Sequence, residues 1–318
     1  MSDPVYPPEF DFSSLSTYPL ADRPSKVDVS CSGRPFPRGG TFAAFLDTLP
    51  DQLGAADLKA LAAAIAAAAK GGRPILWGLG GHVVKVGLGP VLAGLMERGA
   101  VTGLVLNGAA AIHDLELAIA GKTSEVVDDT LLDGKFGLAA ETGALFSRAL
   151  TVGVARGMGL GEALSATVMA ESPRFADTSL LCAAHRLGIP VTVHVAVGTD
   201  IVHIHPGIDP RLLGEGTFRD FARFTSLVAD LSGGVFLNVG SAVLLPEVFL
   251  KAVSAVSGKG ISLAGLTTAN LDFIQHYRPR VNVLARPTSR GGKGFALTGH
   301  HEIMVPLLAA AVGELLEP

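Results

Sequence analysis

Apolar positions along this chain fall into short β-branched runs separated by longer stretches where they recur every three or four residues, with glycines at the changes of pattern. The first alternation predicts a helix from Asp57 to Lys70, ended by Gly71-Gly72, and then a buried strand over 74–77. The loop Gly78–Gly87 enters a helix ending near Gly99, Gly103–Leu106 reads as a second strand, and Asn107–Glu116 follows it. Strand, glycine turn and helix therefore occur twice in close succession, the pattern of a doubly wound sheet.

From Thr123 to Leu187 the spacing is helical, broken by Gly153, Gly157, Gly159 and Gly161, and the stretch is expected to lie between two halves of the sheet. The run from Ile189 starts as a buried strand and breaks at Gly198 into a loop carrying Asp200, His203 and His205. Beyond it the pattern predicts a helix over Phe218–Leu231, a strand over Gly234–Asn238, a loop Val239–Val243 and a helix from Pro246 to Val256. Short strands are expected at Ile261–Gly265, Val281–Leu284 and Phe295–Thr298, and a closing helix at His301–Leu316. Residues 1–50, rich in Pro, Ser and Gly, read as an extended arm, and 51–318 as a single α/β domain. The fold class is therefore α/β, a Rossmann-like doubly wound and mostly parallel sheet.

With 48% hydrophobic and 17% charged residues, more surface needs covering than a lone domain usually shows, and a homo-oligomer is expected. A net charge of −4 and the lack of a Lys/Arg cluster argue against nucleic acid and anionic membranes, leaving a small-molecule substrate as the partner. Two cysteines, Cys31 and Cys182, make no disulfide framework, and no apolar run is long enough to span a bilayer; a cytoplasmic location is the expectation.

Chemistry is expected where strands end, because ligands of open parallel sheets bind outside the carboxyl ends. Three of the nine histidines, His194, His203 and His205, fall within twelve residues around the end of the Ile189 strand. Asp200, His203 and His205, with His301, are one candidate metal set, since an extended His-x-His pair points both rings to one side. They equally fit a cluster that orients an organic substrate or a set of hydrogen-bonded histidines in a polar pocket; His203, His205, His300 or His301 would serve as acid or base, the imidazole pKa lying close to neutrality. Gly78-x-Gly80 resembles a dinucleotide fingerprint, although Val83 stands where a third glycine belongs. Lys293, between Gly292 and Gly294, is a candidate nucleophile or a surface turn lysine.

Taken in order, these segments resemble deoxyhypusine synthase. Leu79–Leu88 is similar to that family's first nucleotide loop. Asn107-Gly108-Ala109-Ala110 and Ile112-His113-Asp114 stand for its Thr-Ala-Gly-Gly and Glu-Glu-Asp. Ile189-Pro190-Val191 with the Asp200 loop, Val239–Val243, Thr268–Leu271 and Pro306-Leu307-Leu308 continue the series from Gly72 to the C-terminus. The resemblance implies a Rossmann-like sheet, bound NAD and a homotetramer. It implies that Gly80, Gly81, His82, Asn107, Gly108, Asp114, Asp200, Gly240 and Ser241 hold the dinucleotide.

The implied chemistry is hydride removal, with Lys293, His203, His205, His300 and His301 as the catalytic candidates. The family's Trp-Gly-Lys segment is absent, and histidines replace carboxylates near His203 and His300-His301, which removes the charge that attracts a polycation. The expected enzyme is thus an NAD-dependent oxidoreductase or transferase acting on a small polar amine or alcohol, and not deoxyhypusine synthase itself. A metal-dependent hydrolase and a catalytically idle nucleotide sensor are the alternatives.

Overall fold

The computed structural model describes residues 5–316; the first four residues of the expected arm lie outside them. Helices α1 (Phe42–Thr48) and α2 (Leu53–Lys70) precede β1 (Ile75–Leu79), and α3 (Gly81–Lys85) and α4 (Gly89–Glu97) lead to β2 (Gly103–Asn107). Five α-helices separate β2 from β3 (Val191–His194): α5 (Gly108–Ala120), α6 (Val127–Thr130), α7 (Ala140–Arg148), α8 (Leu160–Ala170) and α9 (Leu180–Leu187). The second half runs α10 (Pro210–Ala229), β4 (Val235–Val239), α11 (Leu244–Gly258), β5 (Thr267–Asp272), α12 (Arg286–Thr288), β6 (Lys293–Thr298) and α13 (His301–Leu316).

The six strands form one sheet in the order β3-β2-β1-β4-β5-β6, and every neighbouring pair is parallel. The chain winds outward from β1 to β3, returns to place β4 beside β1, and winds outward again. The junction of β1 and β4 is therefore where the winding reverses, and ligands of such sheets bind outside the carboxyl ends at that place.

Strand alternation sorts the core onto two faces. Ile75, Trp77 and Leu79 of β1 pack with helices α2, α4, α5 and α13, while Leu76 faces α10 and α11 on the other side. On that second face Phe236 stacks on Phe249 with ring centroids 3.8 Å apart. Trp77 is wholly buried, and its indole N–H donates to the Ala100 carbonyl at 3.1 Å, so no polar atom offsets a burial worth about 2 kcal/mol or more. Among the described residues no helix is long and apolar enough to cross a membrane.

Three elements differ from the sequence reading. Residues 261–265 form no strand; β5 begins at Thr267 and buries the polar Asn270 and Asp272. Val281–Leu284 lies in a wide π-helical stretch, Pro279–Ala285, where Asn282 donates to Glu247 Oε1 at 2.8 Å and Val283 enters the second-face core. Tertiary contacts there override the β-branched preference. Helix α10 starts at Pro210 because Asp209 accepts the N–H groups of Arg211 and Leu212. The helix therefore starts eight residues before the expected Phe218, and Gly216 lets it approach Val154, 2.9 Å from where a Cβ would stand.

Residues 5–40 are mostly exposed, with 3-10 turns at Leu20–Asp22 and Val29–Cys31 and with Tyr6, Phe10, Phe12 and Tyr18 open to solvent, whereas α1 (Phe42–Thr48) falls inside the stretch read as an extended arm.

Candidate functional site

The turns after β1, β4 and β5 are stitched together at the carboxyl edge. The Gly80 N–H donates to Val239 O at 2.9 Å, and the Gly240 N–H donates to Leu271 O at 3.1 Å. A Cβ on Gly80 would stand 2.0 Å from the Gly240 carbonyl oxygen, and Gly240 itself has φ +68°. Both positions therefore need glycine, for different reasons: contact at Gly80 and backbone conformation at Gly240.

Ser241 is buried and its Oγ accepts the Leu245 N–H at 3.2 Å, capping α11, while its carbonyl accepts from Asn238 Nδ2 at 2.9 Å. Asn238 Nδ2 also reaches Asn270 Oδ1 at 2.7 Å, and Asn238 Oδ1 is buried with no partner.

His300 and His301 are adjacent but diverge. His301, the first residue of α13, is buried: its Nε2 donates to Leu271 O at 3.2 Å and lies 3.9 Å from Asp272 Oδ1. That bond fixes the proton on Nε2 and leaves Nδ1 an acceptor, buried without a partner. The His82 ring is 5.7 Å from His301, whereas His300 is exposed and stacks on Phe273 at 6.3 Å.

On the β2 side, Asn107 accepts the Ala110 N–H at 2.8 Å and caps α5. Above Gly108 sits the Asp200 carboxylate, 2.3 Å from where a Cβ would be, so only glycine leaves it room. Asp200 accepts the Ala196 N–H at 2.7 Å, and burial raises its pKa.

Along α5 opens a cavity of about 800 Å³ that the sequence reading did not identify. Its wall carries Lys85, His113, Glu116, Thr123, Thr142 and Asp200, with Ile112, Phe136 and Ile201 as apolar surface. His113 Nδ1 is 2.6 Å from Thr123 Oγ1, which donates to Glu116 Oε2 at 2.6 Å; Thr142 donates to Glu116 Oε1 at 2.9 Å. His113 and Glu116 are three apart on a helix, and that spacing was the available signal.

Several expected site residues stand elsewhere. Asp114 is fully buried and points away from the strand ends: its carboxylate accepts Ser179 Oγ at 2.6 Å and the N–H groups of Leu180 and Leu181 at 2.6 and 3.0 Å. It anchors the start of α9, and burial pushes its pKa up to about 6. His205 does not pair with His203, because residues Ile201–Ile204 form a 3-10 turn and not an extended segment. His203 Nδ1 lies 3.0 Å from Asp200 O, while the His205 ring covers Gly143 of α7, its Nε2 1.8 Å from where a Cβ would stand.

The proposed metal set of Asp200, His203, His205 and His301 is not assembled. Among the described residues no group of three or more His, Cys, Asp or Glu is arranged to hold a metal ion. His194 is buried against Phe224 at 5.6 Å, and burial pushes its pKa down to about 3. Lys293 opens β6, so it is at the amino edge of the sheet, exposed and at the far end of its strand from the glycine turns. It has none of the enclosure that a desolvated lysine nucleophile needs.

A six-stranded parallel sheet in this order, flanked by helices on both faces, defines a Rossmann-like α/β protein. Among solved structures the chain is similar to AgrE in ternary complex with ornithine and NAD+ (TM-score 0.55, 16% identity, 81% of this chain and 33% of that chain). It is also similar to a conserved candidate LOR/SDH protein from Methanococcus maripaludis S2 (0.54, 15%, 83% and 71%). A third is a candidate deoxyhypusine synthase from Entamoeba histolytica (0.52, 12%, 88% and 96%). This chain spans about a third of the length of AgrE. At these identities the likeness is one of fold. No protein-family model matches the sequence, and no curated protein matches it.

Proposed function

We propose that the protein binds a nicotinamide dinucleotide along the carboxyl edge of the sheet and removes a hydride from a small polar metabolite. The observation that carries this reading is the Gly80–Gly240 contact at the reversal of strand order, with a cavity of about 800 Å³ whose wall residues Ala109 and His113 pack against the neighbouring Gly81. Glycine at positions 80, 81 and 240 lets the turns pack closely against Gly240, Ala109, His113 and His301, which keeps the backbone of this edge compact. Ser241 and Asn238 tie down the β4 turn, and Asn238 Oδ1 and His301 Nδ1 are unpartnered acceptors beside it. Asp200, a carboxylate over the end of β2, is suited to accept the hydroxyls of a ribose.

Such a cofactor supplies an acceptor for an electron pair. The chain's own task is to bind it, exclude water and take up the proton released with the hydride. The AgrE structure, with NAD+ and ornithine, and the candidate deoxyhypusine synthase support the same reading through their shared fold.

Calorimetric titration with NAD+ tests it. Binding with a dissociation constant on the order of 10 µM is expected. No heat of binding up to about 1 mM NAD+ or NADP+ would overturn the reading.

A further inference from the structure

We propose that the cavity beside α5 is the reaction chamber, and that His113, held by Thr123 and Glu116, is the catalytic base that accepts the substrate's proton there. The inference rests on the dinucleotide reading above and assigns its proton acceptor.

The hydrogen bonds fix the protonation of the ring. Thr123 has one hydroxyl proton, and at 2.6 Å it is given to Glu116 Oε2, so the Thr123 oxygen is an acceptor toward His113. His113 must therefore carry its proton on Nδ1, which leaves Nε2 as the lone-pair nitrogen. Among the described residues Nε2 has no hydrogen-bond partner, and it is not one of the buried unpartnered atoms, so it is open to a ligand. A second donor, Thr142, holds the other oxygen of Glu116 at 2.9 Å and keeps the carboxylate from turning away.

Position matters as much as protonation. A Cβ on Gly81, in the turn after β1, would stand 3.1 Å from His113 Cδ2, so the imidazole lies directly against the glycine turn that the dinucleotide reading uses. His113 thus lines the cavity and packs against the turn at once. The charged groups that face it are Lys85 from α3, Glu116 from α5, Lys122 and Glu125 from the segment after it, Glu141 from α7 and Asp200. Burial first, and then the charge of Lys85, push the His113 pKa down to about 4, so the ring is neutral at neutral pH and holds a proton only transiently, passing the charge on toward Glu116.

The step balances as follows. The substrate carbon bears a hydroxyl or a neutral amine. Its C–H bond breaks, and the electron pair and hydrogen pass together to the oxidised nicotinamide. The O–H or N–H proton passes to Nε2, and a C=O or C=N bond forms. The imidazolium then gives its Nδ1 proton to Thr123 as Thr123 gives its own to Glu116, and the positive charge is dispersed. Thr123 and Glu116 are positioning residues; His113 alone touches the substrate.

Long-range ¹H–¹⁵N spectra of the full chain, with carbethoxylation mapped by mass spectrometry, test the proposal without a known substrate. An Nδ1–H tautomer at His113 and its modification by diethyl pyrocarbonate are expected, and Thr123→Val should abolish the tautomer preference. Binding of ADP-ribose and turnover of a panel of small alcohols and amines, read as reduced nicotinamide, complete the test. His113→Gln should lower kcat/KM by roughly 100-fold or more while ADP-ribose affinity stays within about twofold.

An Nε2–H tautomer, or a His113 inert to the reagent, overturns the proposal whatever the panel shows. A loss of ADP-ribose affinity of about tenfold in His113→Gln with turnover intact also overturns it, because the cavity then holds the adenosine half. Failure to bind NAD+ with the tautomer as described sinks the dinucleotide reading and leaves the relay standing.

Discussion

Gly80 and Gly240 meet backbone to backbone, so that a Cβ on Gly80 would lie 2.0 Å from the Gly240 carbonyl oxygen. The two turns belong to the two halves of the winding, and neither can move without the other. Gly80→Ala is expected to cost about 1–3 kcal/mol or more in chemical denaturation, because the obstacle is a carbonyl and not a flexible side chain. The same variant should weaken NAD+ binding in calorimetry; an unchanged midpoint would show that the turns separate freely.

Two buried carboxyls give stability a definite slope with pH. Burial pushes Asp220 up to about 7 and Asp114 up to about 6, against an ordinary 3.8. Between 3.8 and these values the folded state holds protons that the unfolded chain has released. Their contribution is therefore full below 3.8 and is lost as pH rises through about 6 and then about 7. The melting temperature should fall by on the order of 5 °C between pH 4 and pH 8. Asp220→Asn should flatten the upper part of that slope, since Asn can still accept from Gly161 and Val193 as Asp220 Oδ2 does at 2.7 Å.

Asp114 is a structural anchor by geometry, and its removal separates stability from binding. Asp114→Ala leaves Ser179, Leu180 and Leu181 without their acceptor and should cost about 3 kcal/mol in denaturant unfolding. NAD+ affinity of the folded fraction, read by calorimetry at low temperature, should not change. A large loss of affinity at full stability would restore the residue to the cofactor site.

Lys293 is exposed at the amino edge of the sheet. Lys293→Ala should leave the melting temperature within about 1 °C and NAD+ affinity within about twofold, as surface substitutions do. A tenfold loss in calorimetry would contradict its placement away from the site.

The sheet was legible because its strands are short, apolar and followed by glycine. Residues 74–77, Gly103–Leu106 and Gly234–Asn238 were each found within two residues of β1, β2 and β4. β5 was misplaced because its sequence Thr-Thr-Ala-Asn-Leu-Asp puts polar groups inside, where Asn270 is satisfied by Asn238 and Gln275. Such pairing depends on residues 32 positions apart, which a local pattern cannot carry.

The site was less legible than the fold. Clustering in sequence drew attention to His203 and His205, yet a single 3-10 turn sends them to different neighbours. The groups that the fold brings together, His113, Glu116, Thr123 and Thr142, come from a helix, the loop after it and a later helix. Asp220 was missed for the same reason: it lies in the middle of α10, and only the fold shows it bonded to Gly161 and Val193.

The pairing of Ile75 with Val235 means that β1, the inner strand of the first half, waits some 160 residues for its second neighbour. At ribosomal elongation rates of about 5–20 residues per second, that interval lasts roughly 8–32 s. Throughout it one apolar strand has an unpaired edge, the surface on which nascent chains aggregate. Closure of the Gly80–Gly240 contact is thus also the event that ends this exposure, and a chain released before residue 235 should depend on chaperones for its solubility.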